Sequence, residues 1–308
     1  MNPNETFTLA HLADPHLVDH RDIRLIDLFN KRFFGYIKWH LIRSASQHEE
    51  VLGSLIDDLR ASRPDHIAVT GDLTHLGLPA EFQKAKKFLS DLGAPSEVTV
   101  IPGNHDAYVA AALEAGLPHW AEYIVSDQYG IIGGQAISAR ALFPSLRIRG
   151  SVALIGVSTA IPCSTFLAVG RIGKTQRQRL QEMLIETGRK GLFRVILIHH
   201  PPVNGAVSWR KRLTDAKAFR AIVKQHGAEL ILHGHAHRLV QARLKTPDGY
   251  VPVIGISSAS SANRHSKRRA QYHIYRLSQT AQGWQVHVRV RSFVGRKEFI
   301  TQDEFRLL

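Results

Sequence analysis

Five short strings in this sequence carry side chains that bind divalent cations: Asp14-Pro-His16, Gly71-Asp72, Gly103-Asn104-His105-Asp106, His199-His200-Pro201-Pro202 and Gly234-His235-Ala236-His237. Each alone says little, since Asp-x-His and Gly-Asp arise by chance in many chains. Gly103 permits a tight turn and close backbone approach. His235 and His237, two residues apart at a strand end, can both face one cation. Two divalent ions ~3.5–4 Å apart need a carboxylate between them, further nitrogen or oxygen donors on each, and an open position for water. Asp14, His16 and His237 would serve one ion and Asn104, His199 and His235 the other, with Asp72 bridging. Water held between two cations loses a proton readily, and the hydroxide would attack phosphorus in line. His105, one residue beyond a ligand, is placed to protonate or stabilise the departing oxygen. Asp106 has two readings of equal weight: it orients His105, or it caps a helix N-terminus.

Strands must deliver these groups to one place. Strand-like runs at Phe7–Ala13, His66–Thr70, Val98–Ile101, Val152–Val157, Arg194–Ile198 and Leu230–Leu232 alternate with amphipathic stretches at Gln47–Ala61, Ala80–Leu92, Thr175–Thr187 and Thr214–His226. In the first of these, Val51, Leu52, Leu55, Ile56 and Leu59 form a stripe at helical spacing. The alternation is that of an α/β protein. Each cation-binding string follows a strand, and the C-terminal edge of such a sheet is where sites form. After about Gly249 the runs Val251–Ile256, Tyr272–Leu277 and Trp284–Val290 follow with no helix between them. They read as antiparallel strands completing a second sheet, residues 250–308 being a β-rich, basic part of one domain spanning 1–308.

Composition narrows the chemistry further. The 308 residues hold 18 histidines and one cysteine, Cys163, which excludes disulfide frameworks and thiolate clusters and favours nitrogen and oxygen ligation. Forty Lys and Arg against 26 Asp and Glu give a net charge of +14, and the stretch from Gly234 to Leu308 contributes 13 of the basic and 4 of the acidic residues. Such a surface meets something anionic: a phosphorylated substrate, an anionic membrane or nucleic acid. No leader pattern opens the sequence, and no apolar run approaches the ~18–20 residues of a spanning helix. The expectation is a cytoplasmic protein, with peripheral attachment at the inner face of the membrane as the alternative.

The five strings, in this order, resemble the calcineurin-like metallophosphoesterase superfamily. They are closest to its class III cyclic-nucleotide phosphodiesterase branch, where the His-His-Pro-Pro and Leu-His-Gly-His-x-His strings also look familiar. The resemblance covers residues 7 to 237, and no metal position departs from the pattern. It implies a four-layer α/β/β/α sandwich of two facing mixed sheets and a dinuclear centre of Mn, Fe or Zn with the ligand partition given above. By the same analogy His199 is the ligand and His200 stands behind it, while His11 and His233 match no ligand position and are structural. The implied activity is hydrolysis of a small phosphodiester of the cyclic-nucleotide type.

Two segments depart from that pattern, the strongly basic stretch Arg264-His265-Ser266-Lys267-Arg268-Arg269 near the end and a long insertion after the first strand. Asp19–Ser46, far longer than the ~2–6 residues of an ordinary βα loop, interleaves Phe33, Phe34, Tyr36 and Trp39 with Lys31, Arg32, Lys38 and Arg43. It reads as a helical hairpin packed on the body, as a cap, or as a segment lying on an anionic membrane. In physical character, though not in motif, it is similar to superfamily members acting on lipid-linked pyrophosphates, such as UDP-diacylglucosamine pyrophosphatases. A nuclease is a further alternative. The sequence shows no aromatic stacking platform or nucleic-acid module, and charge alone gives only nonspecific binding, so specific nucleic-acid recognition is not expected. A metal-free scaffold would require a missing ligand, and none is missing.

Overall fold

The computed structural model describes residues 6–18, 49–127, 142–247, 249–263 and 265–308. Its first sheet has the order β12-β11-β10-β1-β2-β3. Strands β1 (Thr6–Leu12), β2 (His66–Thr70) and β3 (Val98–Ile101) run parallel, and β10 (Gln271–Thr280), β11 (Gly283–Gly295) and β12 (Glu298–Arg306) add antiparallel neighbours beyond β1. The second sheet has the order β4-β5-β6-β7-β9-β8. Here β5 (Val152–Val157), β6 (Phe193–Ile198), β7 (Leu230–His233) and β9 (Gly249–Gly255) are parallel, flanked by antiparallel β4 (Ser145–Arg149) and β8 (Val240–Thr246).

Side-chain alternation decides how the sheets stack. In β6, Phe193, Val195 and Leu197 enter the large core shared with the first sheet, while Ile196 and Ile198 enter a second core. That second core is closed by α5 (Lys174–Arg189) through Leu180 and Leu184 and by α6 (Ala216–His226) through Phe219 and Val223. Strand β7 divides in the same way, with Leu230 and Leu232 inward and Ile231 outward. On the first sheet, α1 (Glu49–Ser62) lays down Val51, Leu55 and Leu59, and α2 (Pro79–Leu92) lays down Phe82, Phe88 and Leu89. The result is two mixed sheets face to face with helices outside both. Central strands covered on both faces read as continuous apolar runs, which is why they stood out in the sequence.

The edges were harder to read. Strands β4 and β12 were not anticipated, nor was β8, and β12 buries only Phe299. An edge strand packs little of its surface, so its composition stays polar and its pairing is imposed by the neighbour. The C-terminal runs also join a different sheet from the expected one: β10 pairs with β1, with His273 opposite His11, so the tail extends the first sheet instead of completing the second. Only β8 and β9 belong to the second. The Asp19–Ser46 segment, with Phe33, Phe34, Tyr36 and Trp39, lies outside the described residues. Among the described residues no helix is long and apolar enough to cross a membrane.

Candidate metal centre

The C-terminal ends of β1, β2, β3, β6 and β7 meet at one edge between the sheets. The backbone there is unusual: Asp14 (φ 54°), His16 (46°), Asp72 (55°), His235 (64°) and His237 (50°) all have left-handed dihedrals. Only four other described non-glycine residues do. Each such residue costs on the order of 1–2 kcal/mol, and such strain gathers where surrounding structure fixes a functional geometry. Glycine supplies the room. A side chain at Gly103 would sit on Asp72 Oδ1, and one at Gly234 would come within 2.6 Å of Asp14 Oδ2.

Two donor sets converge at this edge and share Asp72. Asp14, His16, Asp72 and His237 form one, and Asp72, His199 and His235 form the other, each with its donor atoms within 4.8 Å of one another. In the first, His16 Nε2 and His237 Nε2 lie 3.1 Å apart, His237 Nε2 is 3.4 Å from Asp14 Oδ1, and His16 Nε2 is 3.8 Å from Asp72 Oδ2. In the second, His199 Nε2 is 3.4 Å from Asp72 Oδ1 and 3.2 Å from Asn104 Oδ1. Ligands bonded at ~2.0–2.2 Å to one ion stand roughly 3–3.5 Å from one another, so the donors fit two divalent cations with a carboxylate oxygen for each.

Second interactions hold these donors. His199 Nδ1 donates to the Thr70 carbonyl (2.8 Å), which leaves Nε2 as its metal-facing atom. The His235 ring nitrogen Nε2 meets the Lys211 carbonyl at 3.0 Å, and its backbone N–H donates to both oxygens of Asp14. Asp72 Oδ1 accepts the N–H of His105 at 2.8 Å. His200 is committed elsewhere, to Thr159 Oγ1 (2.7 Å) and the Ala168 carbonyl (3.1 Å).

Electrostatics follow from burial and from Asp72. Burial alone would raise the Asp72 carboxyl, but His199, His105 and His16 around it hold it well below the usual carboxylate range. Burial pulls His199 down, and the attraction of Asp72 overrides it, raising the imidazole to about 9. His235 is held well below its ordinary value by burial and by His200 and His199 beside it. A buried anion surrounded by imidazoles is the field a cation would enter.

Next to the first donor set stand two more histidines. The His105 ring lies 4.8 Å from that of His16 and stacks at 5.2 Å and 22° on that of His75. His105 Nδ1 donates to the His75 carbonyl (2.5 Å), which fixes the ring. The loop carrying that carbonyl is itself held by buried Glu81, whose Oε2 accepts the N–H groups of His75 (3.2 Å), Leu76 (2.8 Å) and Leu78 (3.1 Å). Sequence reading missed both His75 and Glu81. Glu81 did have a signal, a Pro-x-Glu start to α2 in which the acid reaches back over the helix N-terminus.

Neither sequence reading of Asp106 describes its bonds. Its carboxylate accepts the N–H groups of Gly103 (2.8 Å), Leu73 (3.3 Å) and Thr74 (2.8 Å) and the Thr74 hydroxyl (2.9 Å). It ties the loop after β2 to the loop after β3, while helix α3 (Ala110–Gly116) starts after Val109. Burial, and then the negative Asp72 nearby, raise it to about 6 against the pull of the Gly103 and Thr74 N–H groups.

The family model described as calcineurin-like phosphoesterase matches residues 7–239. A cAMP/cGMP dual specificity phosphodiesterase of Mycobacterium tuberculosis is 27% identical over 246 residues, covering 77% of this chain and 63% of that protein. A probable cyclic nucleotide phosphodiesterase of Synechococcus is 26% identical over 194 residues, covering 62% of this chain and 65% of the other. The chain thus spans less than two thirds of the length of either curated relative. Among solved structures, a dimetal phosphatase from Danio rerio superposes with a TM-score of 0.61 over 98% of both chains at 13% identity, a likeness of fold.

Proposed function

The chain belongs to the calcineurin-like phosphoesterase family, and from that premise we propose that it is a dinuclear metal-dependent phosphodiesterase hydrolysing a small diester of the cyclic-nucleotide type. The observation that carries this reading is the pair of donor sets sharing Asp72. The names of the two curated relatives support the diester and the nucleotide.

Asp14, His16, Asp72 and His237 would hold one divalent ion, and Asp72, Asn104, His199 and His235 the other. Bound there, Mn, Fe or Zn would supply Lewis acidity towards the phosphoryl oxygens and a water acidified enough to act as nucleophile at neutral pH. The protein's own part is placement and proton transfer. His105 commits its Nδ1 proton to His75, so Nε2 is the nitrogen that exchanges a proton with the departing oxygen. Glu81 acts through the His75 loop as a positioning residue. Asp106 keeps Gly103 and Thr74 in place, and with them the turns carrying Asn104 and Asp72.

Protein loaded with Mn²⁺ should hydrolyse bis(p-nitrophenyl) phosphate and cyclic AMP well and p-nitrophenyl phosphate poorly. Equal or greater turnover of the monoester would replace the diesterase reading with a phosphatase. A second reading, a lipid-linked substrate at an anionic membrane, rests on the basic aromatic stretch 19–46 and the basic stretch 264–269. Its test is co-sedimentation with anionic liposomes, before and after joint replacement of Phe33, Phe34, Tyr36 and Trp39. Degradation of polynucleotides at moderate salt would instead favour a nuclease.

A further inference from the structure

Beside the first donor set the surface opens into a cavity of about 520 Å³ lined by Arg238, Leu239, Gln241, Asn263, His265, Lys267 and Arg268. Three permanently charged cations and a histidine gather there, with two side-chain amides and no carboxylate among the described lining residues. Like charges brought together cost Coulomb energy unless an anion balances them. The cleft between β8 and β12 makes the contrast: it also holds two arginines, Arg243 and Arg306, but Asp303 lines it too.

The basic cavity is joined to the metal centre by covalent and polar links. Arg238 follows His237 directly, so the two Cα atoms are about 3.8 Å apart. Its guanidinium donates one hydrogen bond to the Ala206 carbonyl (3.0 Å), which fixes the side chain and leaves further N–H groups on the same fork. Ser257 lies between the two sites, its hydroxyl 3.4 Å from the His237 carbonyl and 3.5 Å from the Lys267 carbonyl. Guanidinium, ammonium and amide N–H groups are the donors that phosphate oxygens accept best.

We infer that this cavity is a second phosphate subsite, taking a phosphate that the substrate carries in addition to the diester at the metals. The inference rests on the diesterase reading and narrows it: the preferred substrate is a nucleotide diester with at least two phosphates, such as a dinucleotide bearing a terminal phosphate. A compound with only the scissile phosphate would leave Arg238, Lys267 and Arg268 without their counter-charge.

A matched pair of substrates tests this. ApA and 5′-phosphorylated pApA contain the same bases and the same diester and differ by one terminal phosphate. With Mn²⁺-loaded protein, kcat/KM should favour pApA by on the order of tenfold or more, the gain lying in KM, as expected for charge-assisted hydrogen bonds to one phosphate. In Lys267→Gln/Arg268→Gln protein that ratio should fall towards one. Both residues are exposed, and thermal denaturation verifies that the variant folds. Equal use of ApA and pApA, or a preference that survives the double substitution, would overturn the subsite while leaving the diesterase reading in place. Failure to hydrolyse either dinucleotide or bis(p-nitrophenyl) phosphate would remove the diesterase reading, and the subsite with it.

Discussion

Histidine is buried in two different settings in this protein. At the edge between the sheets, His16, His199, His235 and the half-buried His237 hold ring nitrogens within 4.8 Å of carboxylate oxygens of Asp14 or Asp72, and all but His199 sit on left-handed backbone. Inside the sheets, His11, His66 and His273 lie in ordinary strands and are as deeply buried. Their partners are neutral: His11 meets Thr70 Oγ1 at 2.8 Å, His66 meets Thr99 Oγ1 at 2.7 Å, and His273 meets the Tyr275 hydroxyl at 3.2 Å. Burial holds His273 down to about 3 and, with Arg149 and Arg147 nearby, does the same to His66. Burial therefore does not separate a ligand from a core histidine. The separation comes from a carboxylate within reach and from a strand end free to turn the side chain outward.

The contrast is broken most severely at Asp72, the carboxylate common to both donor sets. Asp72→Ala should remove at least one metal equivalent by elemental analysis and lower diester turnover by more than ~10³-fold, since both ions lose a ligand. Retained stoichiometry and activity would show that the sharing of Asp72 is only a packing arrangement. Next comes His105, beside the donors yet outside both sets. His105→Ala should keep both metals and lower kcat by roughly 10²–10³-fold, with the deficit smallest for p-nitrophenolate, which needs no proton to leave. Loss of metal instead would move His105 into the ligand class.

The interior class should fail in the opposite way. His273→Ala should cost roughly 2–4 kcal/mol in urea unfolding, from the cavity and the lost contact with Tyr275, while metal content stays that of the parent. Its pH signature has a definite sign. With the folded pKa about 3 and the unfolded value 6.5, the stabilisation is complete above pH 6.5 and is lost as pH falls towards 3, because only the unfolded chain takes up the proton. In that window stability should fall by about 1.4 kcal/mol per pH unit for this histidine, and the slope should be shallower in His273→Ala. An unchanged slope would mean that His273 is charged in the folded protein.

The smallest effect tests the layer behind the site. Glu81→Ala should lower kcat about tenfold with little change in KM, and Glu81→Gln, which keeps an oxygen acceptor for the loop, should recover most of it. The loss should shrink for good leaving groups, as it does for His105→Ala, because Glu81 acts through that ring. A loss independent of the leaving group would reduce Glu81 to a scaffold residue.

Much of the site was legible because its donors follow central strands whose apolar runs announce themselves. Asp14, Asp72, Asn104, His199, His235 and His237 each stand within a few residues of such a strand end, and tight Gly-containing turns flag four of these positions. His75 was not legible, since its importance lies in a carbonyl that any residue type could supply, and Glu81 was flagged only by the Pro-x-Glu start of its helix. Asp106 was misread for a related reason: a buried carboxylate takes whatever donors the fold brings to it, and here those were the turns after β2 and β3. The polar edge strands β8 and β12 carried too little burial to leave a pattern.

By itself the sequence determined the donor types, their order along the chain and the alternation that makes an α/β protein, because these depend on local composition and spacing. Only the tertiary structure decided how closely the donors of each set approach, which sheet receives the C-terminal strands, and that Arg238, His265, Lys267 and Arg268 line one cavity. Those outcomes depend on contacts between residues far apart in the chain, such as His16 with His237 at a separation of 221 positions. Such pairings are set by how two sheets pack, and packing is settled by the whole core at once, whereas a motif is written in a few neighbouring residues.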